Sequence, residues 1–437
     1  MTRVFLALAL TLFAALPARA AVDIQEVTSP GGIEAWLVEE DSIPFLALEI
    51  RFLGGTSLDP EGKRGVTNLM TGLIEEGAGD MDARAFAAAR DGLAASYDFD
   101  AYGDGISISA RFLTENRDEA VALLREALVN PRFDEDAIER VRAQVLSVIR
   151  SDATDPNEIA GRAFDALAFG DHPYGTTGDG TLESVTALTR DDIVAAHQNA
   201  LTRDRVYVGA SGDITADELG ALLDTLLGDL PEAGAPLPGP ANVALTGGVT
   251  VIPFETPQSV AVFGHVGLPR DDPDFFAAFV TNAIFGGSGR QSRLTEEVRE
   301  KRGLTYGVGA WLANYDNADL LVGRMASAND RVGEAIDVVR DEWAKIAAEG
   351  VTETELEEAK TYLTGAYPLR FEGNAPIARI MVGMQTMDLD PDYITTRNDK
   401  VNAVTLEDVR RVAARIYQPE NLRFVVVGQP EGVEPVN

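Results

Sequence analysis

Three histidines, His172, His197 and His265, are the only imidazoles in the chain, and it has no cysteine. A self-contained zinc site needs its ligands gathered on one face, and no two of these histidines stand at helical-face spacing. Each is therefore expected to be structural. Without cysteine, thiol catalysis, thiolate metal sites and disulfides are excluded. No Gly-x-Ser-x-Gly elbow lies between a strand and a helix, as a serine-hydrolase nucleophile requires. Gly286-Gly287-Ser288-Gly289-Arg290 has the outline of a phosphate loop. It lacks the Gly-Lys-Ser/Thr ending and opens no Rossmann-like unit, so a nucleotide role is not expected.

The run Gly65-Val66-Thr67-Asn68-Leu69-Met70-Thr71-Gly72-Leu73-Ile74-Glu75-Glu76-Gly77 reads as a helix over 65–76. It resembles the metal-binding helix of the pitrilysin/insulinase-type (M16) zinc metallopeptidases, where a Gly-Val-x lead-in precedes His-x-x-Glu-His. In that family the two histidines reach one zinc from one helical face and the glutamate activates a water. Here Asn68 and Gly72 occupy the histidine positions and Thr71 the glutamate position. The family's third ligand, a glutamate on a later helix, falls in Gln144-Val145-Leu146-Ser147-Val148-Ile149-Arg150, which holds no acid. The resemblance implies a retained scaffold that has lost all its metal chemistry, with no metal site and no cofactor in this chain.

A second stretch carries the same resemblance more strongly. Phe285-Gly286-Gly287-Ser288-Gly289-Arg290-Gln291-Ser292-Arg293-Leu294-Thr295-Glu296-Glu297-Val298-Arg299-Glu300-Lys301-Arg302-Gly303-Leu304-Thr305-Tyr306 is similar to the family's second-domain signature. There a glycine-rich turn leads into Ser-Arg-Leu, a helix, and Arg-Glu-Lys-Arg-Gly-Leu-x-Tyr. Leu294 and Val298 are expected to pack inward, Gly303 to cap the helix, and Leu304 to begin a strand. In the family an arginine and a tyrosine at the positions of Arg299 and Tyr306 bind substrate and steady the oxyanion at the zinc site. A guanidinium and a phenol are donors able to meet negative charge growing on a carbonyl oxygen. The turn Gly286–Gly289 resembles, in shorter form, the glycine-rich substrate-contacting loop of the non-zinc subunit of the mitochondrial processing peptidase.

The elements that must position these residues repeat. Val66-Thr67-Asn68 is echoed by Val280-Thr281-Asn282, and Leu46-Ala47-Leu48 by Val260-Ala261-Val262, both 214 positions on. Thr189-Arg190-Asp191-Asp192-Ile193 is echoed by Thr405-Leu406-Glu407-Asp408-Val409, each a threonine-capped helix start. The strand Val206–Ala210, ending near Gly212, is echoed by Phe424–Gly428. Alternation marks strands at 33–38, 45–52 and 97–112, and helices at about 117–129, 134–150 and 157–168. The fold class is α+β, two homologous tandem α/β-sandwich domains, each a mostly antiparallel sheet packed on helices. The boundaries read 1–20 signal peptide, 21–230 first domain, 231–245 proline-rich linker and 246–437 second domain.

The chain has 437 residues and a formal charge of −33, which argues against nucleic acid or an anionic membrane surface as a partner. Arg3, the apolar run Val4–Leu16 and Ala18-Arg19-Ala20 form a secretory signal cleaved after Ala20. No later run is long enough to span a membrane. The mature protein is expected to be exported, and periplasmic in a Gram-negative host. The resemblance implies the zinc-less subunit of a two-subunit peptidase. Its partner would be a half-length chain carrying His-x-x-Glu-His and the zinc, and its substrates peptides. A non-enzymatic scaffold or peptide-binding subunit is the alternative, and the adjacent gene is the first place to look for the partner.

Overall fold

A computed structural model describes residues 23–287 and 292–436; the expected signal peptide lies outside them. Among the described residues, beside a small ribbon of Gly77–Ala78 with Met81–Asp82, eleven strands build two large sheets. In the first half these are β1 (Gln25–Thr28), β2 (Glu34–Glu39), β3 (Phe45–Leu53), β4 (Ser96–Tyr102), β5 (Gly105–Leu113) and β6 (Val206–Gly212). In the second they are β7 (Gly248–Pro253), β8 (Gln258–Val266), β9 (Val308–Asn314), β10 (Asp319–Ala328) and β11 (Arg423–Gly428). Sheet 1 runs β1-β2-β6-β3-β5-β4 and sheet 2 runs β9-β10-β8-β11-β7. Read from opposite ends, β2-β6-β3-β5-β4 and β7-β11-β8-β10-β9 are one topology used twice. Each copy has a single parallel pair, β2 with β6 and β7 with β11. β1 lies antiparallel on β2, and in the second half Val436 makes an antiparallel bridge to Val249 at the matching place.

The alternation read in the sequence sets the sheet faces. Ile50 and Phe52 of β3 and Ile106, Ile108 and Ala110 of β5 point into the core beneath the helices of the first half. The single strand expected over 97–112 is a hairpin instead, folded at Gly103-Asp104 so that Tyr102 pairs with Gly105. The helix expected over 65–76 is regular only over Val66–Thr71. Beyond Gly72 the backbone tightens to i→i−3 bonds, Leu73 N–H to Met70 (3.0 Å) and Glu76 N–H to Leu73 (3.1 Å).

The opposite faces of the two sheets are covered by exchange. Helix Pro156–Phe169, from the first half, buries Ala160, Phe164 and Ala168 against Val260, Val262 and Val427 of sheet 2. Helix Asn374–Thr386, from the second half, buries Ile377, Met381 and Met384 against Trp36 and Val38 of sheet 1. The second helix comes so close to β6 that a Cβ on Gly209 would lie 2.4 Å from the Ala378 carbonyl oxygen. Gln385 fixes it there, donating to the Val208 carbonyl at 2.9 Å. Residues 231–247 carry no helix and no strand. They lie docked, with Ala244 N–H donating to the Ala168 carbonyl at 2.8 Å.

Candidate functional site

The first candidate region is the short helix Val66–Thr71. Its N-terminus is held by Asp59, whose carboxylate accepts from the N–H groups of Gly65 (2.7 Å) and Thr67 (3.0 Å). Burial pushes the Asp59 carboxyl up, and the hydrogen bonds to Thr67 and Gly65 and the charge of Arg64 work against that shift. Arg64 lies 3.6 Å from Asp59 and donates to the carbonyls of Pro173 and Thr176, each at 3.0 Å. The helix is therefore pinned to the loop that follows His172. Asn68 donates its amide to Asp179 at 3.1 Å. The Thr71 hydroxyl is buried and donates to the Thr67 carbonyl at 2.8 Å. Gly72 closes the helix, and a Cβ there would meet Val141 at 3.2 Å.

These residues do not fit a zinc ion. The asparagine amide is turned to a carboxylate, the hydroxyl to the helix backbone, and the third position has no side chain. Among the described residues no three His, Cys, Asp or Glu side chains gather closely enough to hold a metal. Each histidine has a structural bond. His197 bonds the Leu128 carbonyl at 2.8 Å, and His265 accepts from the Trp343 indole at 3.2 Å. His172 bonds the Gly239 carbonyl at 3.1 Å.

The second region is the segment that carries Arg299 and Tyr306. Residues Thr295–Glu300 form a π-wound turn, in which Lys301 N–H reaches the Glu296 carbonyl at 2.9 Å, five residues back. Such turns are rare and recur at functional sites. Nearly every other side chain of the segment is used to hold it in place. Leu294, Val298 and Leu304 are buried. Arg293 grips Glu355 through two bonds of 2.6 and 2.8 Å. Lys301 and Arg302 both bond Glu297, at 2.7 and 2.6 Å. Arg331 caps the carbonyls of Arg302 (3.0 Å) and Gly303 (3.1 Å), and Gly303 ends the turn at φ +60°. The Thr305 hydroxyl donates to the Ala326 carbonyl at 2.6 Å and accepts from Gly307 N–H at 3.1 Å. The strand expected from Leu304 therefore begins only at Val308.

Arg299 and Tyr306 are left over. The only ion-pair neighbour of Arg299 among the described residues is the adjacent Glu300, at 3.5 Å. Tyr306 is 85% exposed, and its hydroxyl has no hydrogen-bond partner among the described residues. A charged donor and a phenol thus stand free on a rigid support.

The glycine turn is structural where it can be seen. The Gly286 carbonyl accepts from Ala310 N–H (2.8 Å), and Asn282 donates to the Ala310 carbonyl (3.1 Å). Together they close the outer edge of β9. A Cβ on Gly286 would lie 2.7 Å from Ala310. Gly287 follows, its N–H on the Asn282 carbonyl at 2.9 Å. Ser288 and Gly289 lie outside the described residues.

Sequence reasoning missed Asp59, Arg331 and Asn282 as positioning residues. Only the Val-Thr-Asn repeat pointed to Asn282. It also missed that Gly286 stands where Gly72 stands, 214 positions on, so Asn-x-x-x-Gly occurs in both halves.

Comparison with known proteins agrees with this picture. Residues 187–363 match the family model described as the peptidase M16 inactive domain. The chain is 24% identical over 391 residues to the non-peptidase homolog YmxG of Helicobacter pylori, covering 89% of this chain and 90% of that one. It is 32% identical over 268 residues to an uncharacterized zinc protease of Mycobacterium leprae, covering 60% of each. The crystal structure of a peptidase M16 inactive domain from Pseudomonas fluorescens superposes with a TM-score of 0.88 at 27% identity, over 95% of this chain and 100% of that one. A chain of complex III2 from Candida albicans shares the fold, with a TM-score of 0.76 at 16% identity over 94% of this chain and 97% of that one. No helix of the described residues is long and apolar enough to cross a membrane.

Proposed function

The chain belongs to the peptidase M16 family and is of its inactive, non-catalytic type, and on that premise we propose that it is the zinc-less subunit of an exported two-subunit peptidase. The partner is a half-length chain of the same family with His-x-x-Glu-His and the zinc, and the pair hydrolyses peptides, in the periplasm if the host is Gram-negative. The observation that carries the reading is the contrast inside one segment. Arg293, Lys301, Arg302 and Thr305 each hold a partner within the fold, while Arg299 and Tyr306 are exposed, with only the adjacent Glu300 beside the guanidinium and no bond on the phenol. A guanidinium with only its chain neighbour Glu300 beside it and a phenol without a partner make no bond that holds the segment in place. Facing a partner's site, they would donate to the substrate carbonyl oxygen as negative charge grows on it. Donors fixed in advance contribute to the rate because nothing reorganises at the moment of reaction.

The test is reconstitution with the zinc-bearing chain recovered from the native host through a tag on this subunit. The isolated chain is expected to hydrolyse no peptide and the pair to do so. In the pair Arg299→Ala should lower kcat by about 100-fold and Tyr306→Phe by about tenfold, as for loss of one oxyanion donor. Full turnover by both variants would sink the assignment. Recovery of a stable complex whose other chain also lacks His-x-x-Glu-His would establish the scaffold role instead.

A further inference from the structure

Of the chain's three tryptophans, Trp36 and Trp343 are buried, whereas Trp311 leaves 47% of its surface open. An indole so exposed holds water against a large apolar surface, which is unfavourable unless something covers it. Its orientation follows from strand alternation. Val308, Ala310 and Leu312 turn into the core of the second half, so Gly309, Trp311 and Ala313 stand on the opposite face of β9. Helix Pro156–Phe169 covers that face over Val260, Val262, Leu320 and Val322, and its cover stops short of Trp311.

The ground between Tyr306 and Trp311 is bare. Among the described residues, a Cβ on Gly307 would meet nothing within 4 Å, and one on Gly309 would meet only the Gly286 carbonyl oxygen, at 3.2 Å. Arg324 lies across the ladder from Gly309 and is exposed. Among the described residues it has a 3.4 Å bond to the Asn157 carbonyl and no carboxylate within ion-pair distance. The adjoining edge of β9 cannot take a further strand at Ala310, because Gly286 and Asn282 already occupy both of its backbone groups. A chain seated here must lie across the face.

We propose that this trough is a substrate subsite, in which an extended peptide crosses Gly307 and Gly309 and lays an aromatic side chain on the Trp311 indole. The proposal rests on Arg299 and Tyr306 meeting the scissile peptide, and it names the substrate class for that site. Tyr306 and Trp311 are five residues apart, at most about 17 Å at ~3.3 Å per residue, since β9 begins only at Val308. The recognised side chain therefore falls within about five residues of the scissile bond in an extended substrate. Peptides too short to span that length would bind without it.

Trp311 is the one exposed indole among the described residues, so its fluorescence reports occupancy directly. The probe is a set of blocked decapeptides in which one phenylalanine is moved through an Ala/Ser background, titrated into the isolated chain. Phenylalanine-bearing peptides should shift the emission to the blue and protect it from acrylamide, and the Ala/Ser peptide should not. Trp311→Ala should weaken binding by about tenfold, the loss expected for one stacked ring. In the reconstituted pair the same variant should raise KM by a similar factor for the phenylalanine peptide and leave kcat unchanged. Equal affinity in Trp311→Ala, no binding of any peptide, or an emission shift that follows protein concentration without peptide would overturn the subsite. The last result would mean that a second copy covers the indole. If Arg299→Ala abolishes turnover while Trp311→Ala changes nothing, the subsite fails and the proposed function stands. The converse pattern leaves the subsite and removes the function.

Discussion

Asn68–Gly72 and Asn282–Gly286 occupy the same place in the two halves and share the same end residues, yet they are used differently. In the second half Asn282 is buried and, with Gly286, clamps both backbone groups of Ala310, closing the edge of β9. In the first half Asn68 is half-buried and turned to Asp179, Gly72 is exposed, and no side chain of this motif bonds the edge strand β4. The two motifs thus share their end residues, but only the second closes an edge. A sequence pattern can converge while the hydrogen bonds do not, because the amide in each half goes to the partner that its own loops bring within reach.

The exchanged helices give the largest expected effects. Phe164→Ala, beneath sheet 2, and Met381→Ala, beneath sheet 1, should each cost about 3–4 kcal/mol in a denaturant titration, through loss of buried contacts and the cavity left. If either costs under about 1 kcal/mol, the corresponding helix is not a fixed part of the sandwich.

The matched glycines come next. Gly286→Ala puts a Cβ 2.7 Å from Ala310 and should destabilise by about 2–3 kcal/mol. Gly72→Ala, at φ −66° with only Val141 at 3.2 Å, should fall within about 0.5 kcal/mol of the parent. Equal effects would erase the distinction between the two motifs.

The matched asparagines should differ less. Asn282→Ala leaves a buried carbonyl unpaired and should cost about 1–3 kcal/mol. It should also speed amide exchange at Ala310. Asn68→Ala should cost under about 1 kcal/mol, since water can replace its partner.

A last effect is set by pH. Burial under sheet 2 raises the Asp165 carboxyl from 3.8 to about 6, against the pull of Arg324. An acid whose folded pKa is raised favours the fold when protonated. Its contribution is complete below about pH 4 and is lost as the pH rises through about 6. Asp165→Asn should therefore stabilise the protein by about 1–2 kcal/mol at pH 8 and leave it unchanged at pH 4, read from paired melting curves. A gain independent of pH would show that the carboxylate is not desolvated there.

Much of this was legible in the sequence. The internal repeat and the two α/β layers were read from residue types and spacing, which are local properties, and the degenerate metal-site positions from resemblance. Element boundaries were less legible. The break at Gly103-Asp104 and the shortened helix after Thr71 depend on backbone bonds, and the alternation and helical periods that run across them do not record those bonds. Arg299 and Tyr306 were found only by resemblance. Their isolation became visible once Arg293, Lys301, Arg302 and Thr305 had each been given a partner. Trp311 carried no sequence signal at all, because an apolar residue on a strand reads as core until its face is known.

Residue types alone determined that Asn68, Thr71 and Gly72 offer no zinc ligand set, once resemblance had marked those positions. The sequence by itself determined the doubled fold as well, through two runs of matching elements in matching order. The tertiary structure alone decided which sheet each amphipathic helix covers, which edge is closed, and which donors remain free. The physical reason is the same for all three. An apolar stripe or an amide specifies that it must be buried or bonded, and only the packed chain specifies against what.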